Sequence, residues 1–243
     1  MGLLPVMSPR MWARLGGILW LGCIACGMFA EAYVHEKLVL PHDPSGTIRN
    51  IFADEQLYRL GLTLEFAGTA AYLALTAILY RLLAPIDATV SLIAAFFSVA
   101  GCAIWMANVA GDMSPFLFRD VLAGAHAEPV RSIVFVLLRL GPEALTSGML
   151  CFGVQCLLVG YLIVRSTFLP TALGALLALG GAGYILSASA HFLWPPLAAA
   201  LHGYAYLPGE AGEALLGLWL MVMGVNTAKW DAARIQEASL AVA

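Results

Sequence analysis

Charged residues are scarce in this chain: 11% of its residues are Asp, Glu, Lys or Arg, whereas 61% are hydrophobic. A soluble globular domain has about 25% charged and about 45–50% apolar residues. The composition therefore excludes a soluble fold and indicates an integral membrane protein. The formal net charge is only -3 and no run of basic residues occurs, so a nucleic acid is not an expected partner.

The usual catalytic signatures are also missing. There is no H-E-x-x-H, no G-x-S-x-G, no phosphate-binding loop, no aspartate-rich diphosphate motif and no four-histidine haem pattern. These absences exclude the zinc proteases, serine hydrolases and nucleotide enzymes that carry such motifs. Ser187 precedes His191 by four residues, a spacing found in zinc-dependent membrane amidases of the ceramidase type. Those enzymes also need an H-x-x-x-H pair, which this sequence lacks.

Apolar segments of about 20 residues are long enough to cross a membrane. The sequence predicts six of them, at residues 15–34, 59–83, 90–111, 144–164, 169–193 and 211–228. Segments 44–57 and 116–140 are predicted to form short interfacial helices, since charged residues and Pro129 interrupt the second one. A seventh span or a re-entrant segment is the alternative for 116–140. We therefore predict one polytopic domain over residues 1–243: an all-α membrane protein, built as a six-transmembrane-helix bundle with short interfacial helices on the outer (periplasmic or extracellular) side.

Basic residues next to the spans predict the orientation, because they favour the cytoplasmic side. The short connections and the termini on one side carry Arg10, Arg14, Arg81, Arg165, Lys229 and Arg234. Both termini are therefore predicted to be cytoplasmic. All five histidines then lie on the outer side: His35, His42, His126, His191 and His202.

Glu65 is the most deeply placed ionisable residue in the predicted spans. An ionisable side chain within the bilayer costs roughly 2.5–3.5 kcal/mol on insertion scales, so a functional role is the default interpretation. Glu65 is a candidate catalytic acid or substrate anchor. The alternative is a neutral carboxyl that forms a hydrogen bond with a neighbouring helix.

Further candidates lie near the outer ends of the spans. Glu31 and His35, like Asn108 and Asp112, are four residues apart, so each pair can be in contact on one helix face. His35, Asp112 and His191 are candidate ligands of a divalent metal such as zinc, and Asp112 or His191 is a candidate catalytic base. Interfacial ion pairs are the alternative.

Substrate binding is assigned to Glu31 and Asn108 together with three aromatic residues, Trp105, Trp194 and Tyr204. The alternative for these aromatic residues is an interfacial belt. Glu31, Glu65, Asp112 and His191 are expected to converge on one outward-opening cavity. Structural roles are expected for three other acids. Glu210 and Glu213 are expected to cap the sixth helix, and Glu143 is expected to form a salt bridge with Arg139.

Three segments resemble one bacterial membrane family: "FGVQCLLVGYLIVRSTFLPTALGALLALGGAGYIL", "GMFAEAYVHEKLVLP" and "LYRLLAPIDATVSLIAAFF". The family is known only as domain of unknown function 4386. The resemblance implies a small multi-pass protein of the bacterial inner membrane and supplies no activity. Members often carry His where this chain has Gln155, so a metal or haem is not expected at that point.

Three functions remain open on this sequence. The first is a membrane enzyme that acts on a lipid-like or isoprenoid substrate by acid/base or metal-assisted chemistry. The second is a protein that binds or transports a small apolar or cationic molecule. The third is an accessory subunit in which the outer acids contact a partner. Membrane lipids and a lipid-like or small apolar ligand are the expected partners.

Overall fold

The computed structural model describes residues 7–124, 127–201 and 203–240. Within these residues every regular element is a helix and no strand occurs. His126 and His202, both predicted to lie on the outer side, are outside the described residues. The prediction of an all-α membrane bundle is confirmed.

The helices follow the predicted spans closely but extend beyond most of them. In chain order they are α1 (Pro9–Phe29), which continues through a π-helical turn (Ala30–His35) and a short α-helical end (Glu36–Leu38), α2 (Pro44–Ala53), α3 (Glu55–Leu83), α4 (Ala88–Asp112), α5 (Ser114–Leu117), α6 (Arg119–Leu122), α7 (Ala127–Arg139), α8 (Gly141–Arg165), α9 (Thr171–Leu193), α10 (Pro195–Leu201), α11 (Leu207–Val222) and α12 (Thr227–Leu240).

Five helical segments in the described residues are long and apolar enough to cross a membrane, and a sixth is counted if α11 and α12 form one span. The protein is therefore a multi-pass membrane protein. Successive crossings run in opposite directions, so residues from alternate helix ends meet at the same end of the bundle. The two ends differ in their side chains. His35, Asp112 and His191 lie at one, here called the polar end. Arg14 and Arg165 lie at the other, the basic end.

The sixth predicted span, 211–228, is broken in the structure. α11 ends at Val222, and the helix that follows Asn226 is bent from it by 102°. The Arg14 guanidinium donates to the Val222 carbonyl at 3.1 Å, which satisfies one of the free acceptors at this helix end. Gly224 adopts a positive φ of 69°, a conformation that other residues rarely accept. The Trp230 indole N–H donates to the Leu82 carbonyl at 2.9 Å, so α12 packs against the basic end.

Glycines allow α8 and α9 to pack closely. A Cβ added to Gly174 would lie 2.8 Å from the Gly160 carbonyl oxygen, and a Cβ added to Gly153 would lie 2.9 Å from the Gly181 carbonyl oxygen. Small residues at such crossings let helix backbones approach each other in a membrane, where apolar burial alone does not drive association. This contact holds α9 against α8.

Segment 116–140 contains the end of α5 and all of α6 and α7. Together with α2 these helices form a cap over the polar end. A buried apolar cluster packs under the cap. It comprises Val34, Leu38, Ile48, Ile51, Tyr58, Leu122, Val134 and Leu138. The 13 residues of α7 rise only about 20 Å, less than the ~30 Å of a hydrocarbon core. α7 therefore adds no separate crossing.

The first interfacial segment is shorter than the predicted 44–57. α2 ends at Ala53, and α3 begins at Glu55 after a break at Asp54. Glu65 is therefore ten residues into its helix rather than six, or about 15 Å along the axis. The Glu65 side chain is 5% exposed, so its carboxyl lies inside the bundle.

Candidate functional site

His35 is positioned by the π-helical turn at the end of α1. In this turn the Glu36 N–H donates to the Glu31 carbonyl, five residues back. Such turns are rare and are frequent at functional sites. His35 Nδ1 lies 3.5 Å from Glu31 Oε2 and 3.6 Å from Glu65 Oε1. The expected contact between Glu31 and His35 is present, and the imidazole also reaches a carboxyl on α3 that sequence spacing did not link to it.

Asp112 is the last residue of α4 and is 2% exposed. The Asn108 side-chain amide donates to Asp112 Oδ2 at 2.9 Å, as the spacing of four residues suggested. The Tyr58 hydroxyl donates to the Asp112 backbone carbonyl at 2.9 Å. The Asn108 contact holds a carboxylate that the helix dipole does not favour at a C-terminus, and the Tyr58 contact holds the backbone of the same residue.

The side chains of His35, Glu65 and Asp112 form one group, here called the metal-ligand cluster. Their nearest ligand atoms all lie within 4.8 Å of one another. Three different helical segments supply them, so the cluster is created by tertiary packing. Two neighbouring buried atoms, Glu65 Oε2 and Asn108 Oδ1, have no hydrogen-bond partner among the described residues. Buried polar atoms are normally paired, and both of these atoms belong to residues that line a cavity.

A cavity of about 300 Å³, here called the polar cavity, adjoins the metal-ligand cluster. Its lining comprises Glu31, His35, Glu36, Val39, Pro41, Glu65, Trp105, Asn108, Asp112, Leu138, Arg139, Gly141 and Leu145. Five of the residues assigned to the site from the sequence therefore border the same space as His35. Helix α7 of the cap forms one wall through Leu138 and Arg139.

A second cavity, of about 180 Å³, lies deeper, between α1, α3, α4, α8 and α11. We call it the central cavity. It is lined by Cys23, Gly27, Leu64, Glu65, Gly68, Thr69, Tyr72, Cys102, Trp105, Met149, Phe152 and Glu213. Glu65 and Trp105 border both cavities and separate them.

The prediction that Glu213 caps a helix is wrong. α11 begins at Leu207, so Glu213 lies in its second turn. Glu213 Oε2 accepts a hydrogen bond from the Trp20 indole N–H at 3.1 Å, and its Oε1 lies 3.7 Å from Cys156 Sγ. Sequence reasoning missed this residue as a site candidate. Pro208 was the available signal, since proline is favoured in the first turn of a helix.

His191 does not belong to the metal-ligand cluster. Its Nε2 lies 2.9 Å from Glu143 Oε2, so Glu143 pairs with α9 and not with Arg139 as expected. α9 packs on α8 and α11, away from the helices that carry the cluster. The expected convergence therefore holds for Glu31, Glu65 and Asp112 but not for His191.

Two of the aromatic candidates also lie outside both cavities. Trp194 is 62% and Tyr204 is 77% exposed, and neither lines the polar or the central cavity. Trp105 alone among the three aromatic candidates borders the site. Gln155 is buried, and its Oε1 accepts a hydrogen bond from the Tyr72 hydroxyl at 2.9 Å. The amide thus serves as a hydrogen-bond partner inside the bundle.

Comparisons with known proteins agree with this picture of a membrane protein and add no activity. An uncharacterized protein of Archaeoglobus fulgidus is 32% identical over 80 residues, which cover 32% of this chain and 44% of that protein. The match thus spans less than half the length of that relative. No solved structure matches the chain. The model of the family described as Domain of unknown function (DUF4386) matches residues 15–224, and the chain belongs to this family, as its sequence motifs predicted.

Proposed function

We propose that this protein is a membrane enzyme that binds one divalent metal ion, such as zinc, between His35, Glu65 and Asp112. The observation that carries the proposal is the convergence of three ligand side chains within 4.8 Å beside an open cavity. Imidazole and carboxylate are suitable ligands for zinc and for other divalent first-row metals.

The proposed chemistry is metal-assisted hydrolysis. Catalytic zinc sites have three protein ligands and keep one position open for water, and the metal makes that water a strong nucleophile. Glu31 lies outside the ligand set but its carboxylate is next to His35, so it is the proposed base that takes the proton from the water. In the proposed hydrolysis the water oxygen would bond to the carbonyl carbon or phosphorus of the substrate, the bond to the leaving group would break, and Glu31 would pass the proton to that leaving group.

A lipid-like substrate, such as a fatty-acyl or isoprenoid compound, fits the position of the polar cavity. The cavity lies inside a membrane bundle, and apolar residues such as Leu138 and Leu145 share its lining with the acids. The polar group of such a substrate would reach the metal, and Trp105 would contact the apolar part. Asn108 Oδ1, which has no partner among the described residues, would accept a hydrogen bond from the polar group of the substrate.

The proposed metal is tested by elemental analysis of the full chain, purified in detergent, treated with a chelator and then equilibrated with zinc. We expect about one ion per chain, and a large reduction in Asp112→Asn. His191→Ala is the matched control: it removes an imidazole at the same end of the bundle that pairs with Glu143 instead, so its metal content should equal that of the wild type. A zinc content near zero in the wild type, or one that falls in His191→Ala and not in Asp112→Asn, would reject this site.

The proposed location is a bacterial inner membrane, with the polar end outside and both termini in the cytoplasm. The concentration of Arg10, Arg14, Arg81, Arg165, Lys229 and Arg234 near the basic end supports this orientation. A fluorescent protein fused after residue 243 should fluoresce, and a periplasmic phosphatase fused there should be inactive. The reverse pattern would invert the topology.

Binding or transport of a small molecule is the second candidate function, favoured by the central cavity beyond Glu65. It predicts that a ligand is recovered without chemical change. An accessory role, the remaining possibility, predicts a partner subunit that stays bound through purification.

A further inference from the structure

We infer that the central cavity is a second binding site, which takes the ammonium group of a small organic cation with Glu213 as its counter-charge. The site adjoins the proposed metal centre and shares Glu65 with it, but its counter-charge, Glu213, lies outside the metal-ligand cluster and was not assigned to a site from the sequence. Four features of the cavity support it: an unbalanced carboxyl, aromatic walls, the absence of basic lining residues and a restricted volume.

Glu213 has no basic partner. Among the described residues it contacts the Trp20 indole at 3.1 Å and the Cys156 thiol at 3.7 Å, and none of the described ion pairs includes it. A carboxylate buried in an apolar setting is costly unless a cation accompanies it. Trp20 is fully buried, so its N–H holds the carboxyl at a fixed place in the cavity wall.

A second polar atom without a partner borders the same cavity. Glu65 is 5% exposed, and its Oε2 accepts no hydrogen bond from the described residues. Two carboxyl groups from α3 and α11 thus face one space. Among the residues that line it there is no Lys, Arg or His that would repel a cation.

The remaining walls suit an ammonium group rather than a metal ion. Tyr72 and Phe152 make an edge-to-face contact with ring centroids 5.1 Å apart, and Trp105 forms another wall. Aromatic faces attract ammonium groups, and cages of this kind recognise quaternary ammonium ligands. Glu213 belongs to no group of three or more described His, Cys, Asp or Glu side chains able to hold a metal ion, which separates this site from the metal-ligand cluster.

The volume limits the ligand. A space of about 180 Å³ is comparable with the engineered apolar cavity of ~150 Å³ that binds benzene in another protein. A quaternary ammonium with short alkyl groups fits this space, whereas a complete two-chain lipid does not. Glu65 and Trp105 separate the cavity from the polar cavity, so the two sites are adjacent.

The test is equilibrium dialysis of the full chain in detergent with radiolabelled tetramethylammonium and, separately, tetraethylammonium. We expect saturable binding at about one cation per chain for at least one of the two. Glu213→Gln should weaken it by about tenfold or more, which corresponds to about 1.4 kcal/mol or more. The glutamine can still accept the Trp20 hydrogen bond, and an unchanged unfolding temperature would verify the fold. Phe152→Leu should weaken binding severalfold, because one aromatic wall is lost.

Two control variants separate this site from other acids and from the metal. Glu210→Gln removes an exposed acid from the first turn of the same helix, so it should bind the cation like the wild type. Asp112→Asn should lose zinc but keep the organic cation, whereas Glu213→Gln should keep zinc. No saturable binding of either probe by the wild type, or equal binding by Glu213→Gln, would overturn the inference and leave the metal proposal intact.

Discussion

Glu65→Gln is expected to impair two sites at once. It should weaken zinc binding by more than about 100-fold, because loss of a residue that only supports a ligand already costs 10–100-fold. It should also weaken binding of a small quaternary ammonium, since Glu65 lines the central cavity as well. The substitution keeps the side-chain volume and a hydrogen-bond acceptor close to His35, and Glu31 remains next to the imidazole. The free energy of unfolding without metal should therefore change little.

The measurement is a zinc titration by calorimetry on chelator-treated protein, followed by the dialysis described above. Glu36→Gln is the matched control, since Glu36 also lines the polar cavity but is outside the metal-ligand cluster. Its zinc affinity should change less than about tenfold. If Glu65→Gln binds zinc as tightly as the wild type, then the carboxyl is a structural group and the three-ligand site is wrong.

The sequence predicts the crossings well because a membrane imposes a length on each apolar segment. It also predicts contacts within one helix, such as Glu31 with His35 and Asn108 with Asp112, because a spacing of four residues puts side chains on one face. These contacts depend only on local geometry. They would be expected for any arrangement of the bundle.

Contacts between helices were harder to predict. The pairing of His35 with Glu65 depends on how α1 turns at its end, and nothing in the composition of residues 30–35 signals a π-helical turn. His191 was misplaced for a related reason. α9 is apolar on most of its surface, so its sequence does not identify the face that packs inward. The structure shows that this helix packs on α8 and α11, which brings His191 to Glu143 instead.

The cap could be predicted only in part, because its helices are short and its core comes from distant segments. Charged residues in 116–140 predicted short helices, and the structure has such helices there, although α7 and α8 together count as one apolar segment long enough to cross a membrane. The apolar cluster under the cap, however, joins residues from α1, α2, α3, α6 and α7. Assembly of this kind requires tertiary packing that no local pattern describes. Its importance for the proposed site can be measured at one residue, Tyr58.

Tyr58→Ala is expected to be the most destabilising of the substitutions considered. Tyr58 is fully buried, and its ring packs edge-to-face against Phe116 with centroids 5.8 Å apart. Truncation of a buried aromatic residue to Ala costs about 3–5 kcal/mol. Its ring also contacts the His35 imidazole, at 6.5 Å between centroids. The variant should therefore lose zinc affinity together with stability, because both His35 and the end of α4 lose a neighbour.

Tyr58→Phe separates the contribution of the aromatic ring to stability from that of the hydroxyl. It keeps the apolar packing but removes the hydrogen bond to the Asp112 carbonyl, which should lower the free energy of unfolding by about 1–3 kcal/mol. Tyr33→Ala serves as the control, since Tyr33 is 63% exposed and its loss should cost less than about 1 kcal/mol. The free energy of unfolding of all three variants is measured in detergent, with and without zinc, from the change in tryptophan fluorescence. Equal stability of Tyr58→Ala and Tyr33→Ala would mean that the cap does not hold the polar end together. If Tyr58→Phe binds zinc more weakly while Tyr33→Ala does not, then the hydroxyl positions Asp112 for the metal, which links the cap directly to the proposed chemistry.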